Sequence, residues 1–211
     1  MLKKLILKGT LPLVLMLAVS SCDDSDEGLV VQDHDKNEFM TIMHNMNTQM
    51  DAMEITGDAD YDFASMMMIH HQGAIDMANK EVEKGKDATI KGMAQQIIDK
   101  QTAEKTQLQA WISAHTITPT AEGASFDEEM MMEMDKMKNW KDTQVLTGNA
   151  DSDFAQLMVI HHQQATDNAN GILHHGSDEQ IMEIAKMMIE DQNKEITDLT
   201  ACLKNNGPAN Q

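Results

Sequence analysis

The feature that most constrains the fold is a gap-free internal duplication. Thr56-Gly57-Asp58-Ala59-Asp60 returns as Thr147-Gly148-Asn149-Ala150-Asp151, an offset of 91 residues. The same offset carries Asp62 and Phe63 onto Asp153 and Phe154, and His70-His71 onto His161-His162. Ala74, Asp76 and Ala78 meet Ala165, Asp167 and Ala169; Gly85 meets Gly176; Gln101 and Glu104 meet Gln192 and Glu195. Upstream, Met40, Met43 and Met46 meet Met131, Met134 and Met137. A chain that repeats one unit without a gap is expected to fold as two like halves.

Each half reads as helices. A cap at Asp60 or Asp62 starts a helix that runs to about Lys84, where Gly85 ends it. A second runs from about Asp87 to His115, with Ile90, Ala94, Ile97, Gln101, Leu108 and Trp111 at steps of three and four. Residues 116–125 hold Pro119 and Gly123 and read as a linker. The second copy predicts helices over 151–173 and 177–203, with His174-His175 in a solvated turn. A shorter amphipathic helix precedes each pair, near Lys36–Ile55 and Asp127–Val145. A helical hairpin cannot bury its apolar faces alone, so two related hairpins predict an all-α four-helix bundle with approximate twofold symmetry. That is one domain over 36–205, with halves at about 36–115 and 127–205 and two Met-rich helices against its side or end.

The first residues have another character. Lys3, Lys4 and Lys8 precede the apolar run Leu11 to Val19, too short for a comfortable membrane span. Val19-Ser20-Ser21-Cys22 resembles a lipobox. Residues 1–21 are therefore expected to be a signal peptide, Cys22 the lipidated residue, and 22–35 an acidic flexible tether. This places the domain outside the cytoplasm, held to the bacterial envelope by its lipid. The net charge of -19 repels nucleic acid and anionic headgroups and attracts cations, so no other membrane contact is expected. Only Cys202 remains in the folded part, where it aligns with Trp111 as a small core residue.

The repeated His-His pairs carry the chemistry. Residues on a helix are about 100° apart, so Met66, His70 and Met77 form one stripe, and Met67 with His71 an adjacent pair. In the second copy Met158 lies one turn from His161 and His162, but Leu157 and Asn168 replace Met66 and Met77. Thioether and imidazole together select Cu(I), or its mimic Ag(I), over hard ions. The candidate metal ligands are Met66, Met67, His70, His71, Met77, Met158, His161 and His162, followed by Met40, Met43, His44, Met134 and Met137. The residues leave alternatives open. Methionine also fills cores, and buried histidines also join polar networks. Asp76 and Asp167 either orient an imidazole or lie on the surface. No His has Glu three residues before it, as a ferritin-type di-iron site requires.

The stretch from Phe63 through His70-His71-Gln72 to Ala78, with its second copy at Phe154 to Ala169, resembles the domain-of-unknown-function family 305 (DUF305). The resemblance covers roughly 36–204. It implies a ferritin-like four-helix bundle and, for its Met- and His-rich periplasmic members, copper and silver binding in copper resistance. The expected function is an extracytoplasmic, lipid-anchored Cu(I) binding protein that buffers copper or transfers it to an exporter or chaperone. The alternatives are a metal-free envelope interaction module with a Met-rich core and a metal-dependent oxidase. No catalytic constellation is recognised. Asn168, where the family motif has methionine, puts a full second site in question.

Overall fold

The computed structural model describes residues 31–205. Six helices follow in order: α1 (Glu38–Asp51), α2 (Ala59–Lys84), α3 (Ala88–Ala114), α4 (Ala121–Asp142), α5 (Ala150–His175) and α6 (Glu179–Asn205). The fold is an all-helical bundle. The hairpins α2–α3 and α5–α6 face each other through α2 and α5, with α1 laid on α2 and α4 on α5.

The elements begin and end where side chains satisfy their backbone. Asp58 accepts from Tyr61 N to cap α2, and Asn149 accepts from Ser152 N to cap α5. Asp58, rather than Asp60 or Asp62, is therefore the cap. Asp62 instead binds Thr56 N and Gly57 N ahead of the helix, and Asp153 does the same to Thr147 N and Gly148 N. Both turns need a left-handed residue, supplied by Gly57 and Gly148 at φ 77° and 78°. Asp60 crosses to the other half, where it accepts from Ser177 N and Asp178 N before α6. Asp151 returns the same contact to Lys86 N and Asp87 N before α3. The halves are thus tied reciprocally at both ends of the bundle.

Ile90, Ala94, Ile97, Gln101, Leu108 and Trp111 are the buried residues of α3, as the periodicity predicts. Three expectations need correction. The segment 116–125 is not all linker: Thr120 accepts from Gly123 N and starts α4 at Ala121. His174-His175 is not past the helix end; both lie in the last turn of α5, and His175 Nε2 is 3.1 Å from Glu129 Oε2. The tether is not free over all of 22–35, because Gln32 N donates to Leu146 O at 2.6 Å and a 3₁₀ turn occupies His34–Lys36. The expected signal peptide and Cys22 lie outside the described residues.

One contact between halves is unequal. Asp153 accepts from the Asn37 amide at 2.8 Å. The matching Asp62 faces a second buried carboxyl, Asp127, and burial followed by the Asp62 charge pushes the Asp127 pKa up. A raised carboxyl pKa removes stability as pH rises. Asp127→Asn supplies the amide of the other half. It is expected to stabilise by about 1–2 kcal/mol at pH 7 and by nothing below pH 4, measured by urea unfolding.

Candidate metal centre

The middle of the bundle is built by α2 and α5, each presenting two histidines. His70, His71, His161 and His162 all have zero solvent exposure. Met66, Met67, Met77 and Met158 are equally buried, each one or two turns from a histidine on its own helix. The rings of His70 and His161 meet at the pseudo-twofold axis with centroids 3.6 Å apart. His161 Nε2 lies 3.1 Å from the His70 carbonyl oxygen, and His70 Nε2 lies 3.0 Å from Gln164 Oε1.

The outer histidines reach across each hairpin. His71 Nε2 is 2.7 Å from Glu104 Oε2 on α3. His162 Nε2 is 2.9 Å from Glu195 Oε2 on α6, close enough to pair but off the line of a good hydrogen bond. Glu104 and Glu195 occupy matching places in the duplication.

These contacts fix the proton positions. Carbonyl and carboxylate oxygens only accept, so His71 and His161 donate through Nε2, and Nε2 of His162 faces its carboxylate in the same sense. With Gln164 Oε1 facing His70, the fourth ring does the same. In a neutral ring so placed, Nδ1 holds a lone pair. All four Nδ1 atoms are buried and have no hydrogen-bond partner among the described residues. Burying one unsatisfied polar atom costs roughly 1–3 kcal/mol, so four together are an unusual arrangement unless something binds them. Burial, then the neighbouring histidines, holds His70 and His161 well below the usual imidazole pKa. These two rings are therefore neutral without a proton having to leave.

The two copies are not equal. Gln164 stands where the first half has Gly73, and its side chain faces His70. A Cβ at Gly73 would collide with the Met46 thioether, so glycine there lets α1 press on α2. Asn168 replaces Met77 and donates back to Gln164 O at 3.0 Å. The second copy is thus more polar and poorer in sulfur.

The remaining candidates divide. Met40, Met43, Met134 and Met137 are buried, on the faces of α1 and α4 that cover the bundle. His44 is not with the other histidines: it is 43% exposed at its side chain, 3.4 Å from Asp142. Met131, which matches Met40, is exposed. Asp76 accepts from Gln72, and Asp167 from Gln163 and Lys136, so neither orients an imidazole. Cys202 is only partly buried. Tyr61 and Trp111 stack with His115 in the first half, whereas Ser152 and Cys202 in the second leave a cavity of about 330 Å³.

Motif reading missed Glu104, Glu195 and Gln164. Gln101 and Gln192, one turn from the carboxylates, are also buried with both amide atoms unpartnered. Among the described residues, no three His, Cys, Asp or Glu side chains are placed to hold one ion. Thioether sulfur together with imidazole nitrogen is the donor set that suits soft monovalent copper and silver.

The family model for DUF305, a domain of unknown function, matches residues 19–112 and again 60–203. The chain belongs to the DUF305 family. No curated protein matches it. Among solved structures it resembles CopM in an Ag-bound form, at 24% identity and TM-score 0.53, over 70% of this chain and 97% of CopM. It also resembles CopM in the Cu(I)-bound form, at 26% identity and TM-score 0.52, over 69% and 96%. A DUF305 protein from Streptomyces coelicolor aligns at 22% identity and TM-score 0.57, over 72% and 96%. The duplicated helical bundle is thus the DUF305 fold, and the two His-His stretches face each other at its centre.

Proposed function

We propose that this chain binds Cu(I), with Ag(I) as its mimic, through buried methionine and histidine, and buffers or transfers copper outside the cytoplasm. One observation carries the reading: four buried imidazole Nδ1 atoms without hydrogen-bond partners among the described residues, on helices rich in buried thioethers. Met66, Met67, His70, His71 and Met77 would form the stronger site, and Met158, His161 and His162 a weaker one. Bound Cu(I) would supply no redox turnover in this role; the residues would hold the ion and exclude water from it. CopM, solved in Ag-, Cu(I)- and Cu(II)-bound forms, supports the metal class. The signal-like first residues, the Cys22 lipobox and a Streptomyces coelicolor relative described as a candidate secreted protein support the location. Among the described residues no helix is long and apolar enough to cross a membrane. Lipidation of Cys22 would attach the domain to the envelope. A copper exporter or chaperone is the partner class that transfer requires.

Thermal denaturation tests this. A ligand that binds only the folded state at about 1,000 times its Kd adds about 4 kcal/mol, which shifts Tm by roughly 8–16 °C in a domain of this size. Ag(I) or Cu(I) is expected to give such a shift. No shift would favour a metal-free module in which the methionines only fill the core.

A further inference from the structure

We propose that Glu104 and Glu195 are positioning residues of this centre, and that Lys100, by binding Glu195, makes His71 a stronger metal donor than His162. The proposal rests on the soft-metal reading above and assigns the cause of its inequality.

Glu104 accepts from His71 Nε2 at 2.7 Å, and Glu195 lies 2.9 Å from His162 Nε2, off the hydrogen-bond line. Such a contact fixes the ring, keeps the proton off Nδ1 and raises the electron density there, as carboxylates do behind metal-bound imidazoles. The two carboxylates are not in the same state. Lys100 Nζ lies 3.1 Å from Glu195 Oε1 and 2.7 Å from Asp191 Oδ1. Asp191 is the residue that the duplication puts in the place of Lys100. The lysine of one half is therefore an aspartate in the other, and Glu104 has no lysine at the matching place. Lys105, its neighbour in sequence, bonds to Gln72 instead.

An ammonium on Glu195 draws charge from the carboxylate and weakens what it returns to His162. Glu104 faces His71 with no lysine at the matching position, where the second half has Asp191. The carboxylates are 15% and 13% exposed, so these interactions are only partly screened. The longer, off-line His162 contact agrees with a shared acceptor. The sulfur count favours the same half, because Met66 and Met77 are Leu157 and Asn168 in the second.

The test uses the full chain with Glu104→Gln, Glu195→Gln and Lys100→Met. Cu(I) is titrated in competition with a chromogenic chelator, and apo imidazoles are read by 15N NMR. Glu104→Gln should weaken the tighter site by about 10–100-fold and disturb the Nε2–H tautomer of His71. Glu195→Gln should affect only the weaker site, and Lys100→Met should strengthen it. Equal losses in both glutamine variants with a silent Lys100→Met, in natively folded proteins, would overturn the inequality. If the wild type takes up no Cu(I), the soft-metal reading fails on its own. The apo spectra then decide the positioning role, which an unchanged His71 tautomer in Glu104→Gln refutes.

Discussion

Between pH 7.5 and pH 5.5 the central histidine pair is expected to cost the folded state about 3 kcal/mol, roughly 1.4 kcal/mol for each ring. His70 and His161 are fully buried against each other, and burial holds both well below the ordinary value of 6.5. Below pH 6.5 the unfolded chain takes up a proton at each histidine and the folded chain does not. Their contribution is therefore complete above pH 6.5 and is lost as the solution acidifies. Other groups push the opposite way, so the clean measurement is a difference. Urea unfolding of the wild type is compared at both pH values with a His70→Gln/His161→Gln variant. The wild type should lose about 3 kcal/mol more than the variant. Equal losses would mean that the rings are charged or exposed in the folded protein.

Glu81 supplies the largest opposing effect. Its carboxyl is fully buried on α2, and among the described residues no donor reaches its oxygens. Its matching residue on α5 is Ile172. Burial, and then the nearby Asp151 carboxylate, pushes its pKa up to about 8. A carboxyl raised from 4.5 contributes fully below pH 4.5, and its contribution is lost as pH rises through 8. At about 1.4 kcal/mol per unit, the complete loss is at most about 5 kcal/mol. Glu81→Gln keeps the shape, cannot ionise and can donate its amide to Asp151. It is expected to stabilise by several kcal/mol at pH 8.5 and to be nearly neutral at pH 4.5. A gain independent of pH would show that packing, not charge, governs the site.

The bundle was legible because the duplication fixes two hairpins and periodicity fixes their inner faces. The errors have identifiable causes. Pro119 and Gly123 look like linker residues, yet Pro119 precedes the Thr120 cap. Gly123 sits in the first turn of α4 because a Cβ there would strike the Gly57 carbonyl. Close packing outweighed the cost of glycine in a helix. The end of α5 was available from the repeat itself: Lys84 before Gly85 matches His175 before Gly176. The His-His pairs announced themselves by their neighbours. Glu104 lies 33 residues from His71 on another helix, and periodicity along one helix does not give the register between two. The signal was the matched Gln101/Gln192 and Glu104/Glu195 at the same offset.

On the proposed function, buried methionine and histidine hold a soft monovalent metal, most tightly in the first half. Titration of the signal-free protein with Ag(I), followed by native mass spectrometry, tests it most directly. Tight, stoichiometric uptake that is largely lost in His70→Ala/Met77→Ala is expected. Absence of tight uptake, or uptake unchanged in a folded His70→Ala/Met77→Ala protein, would contradict it.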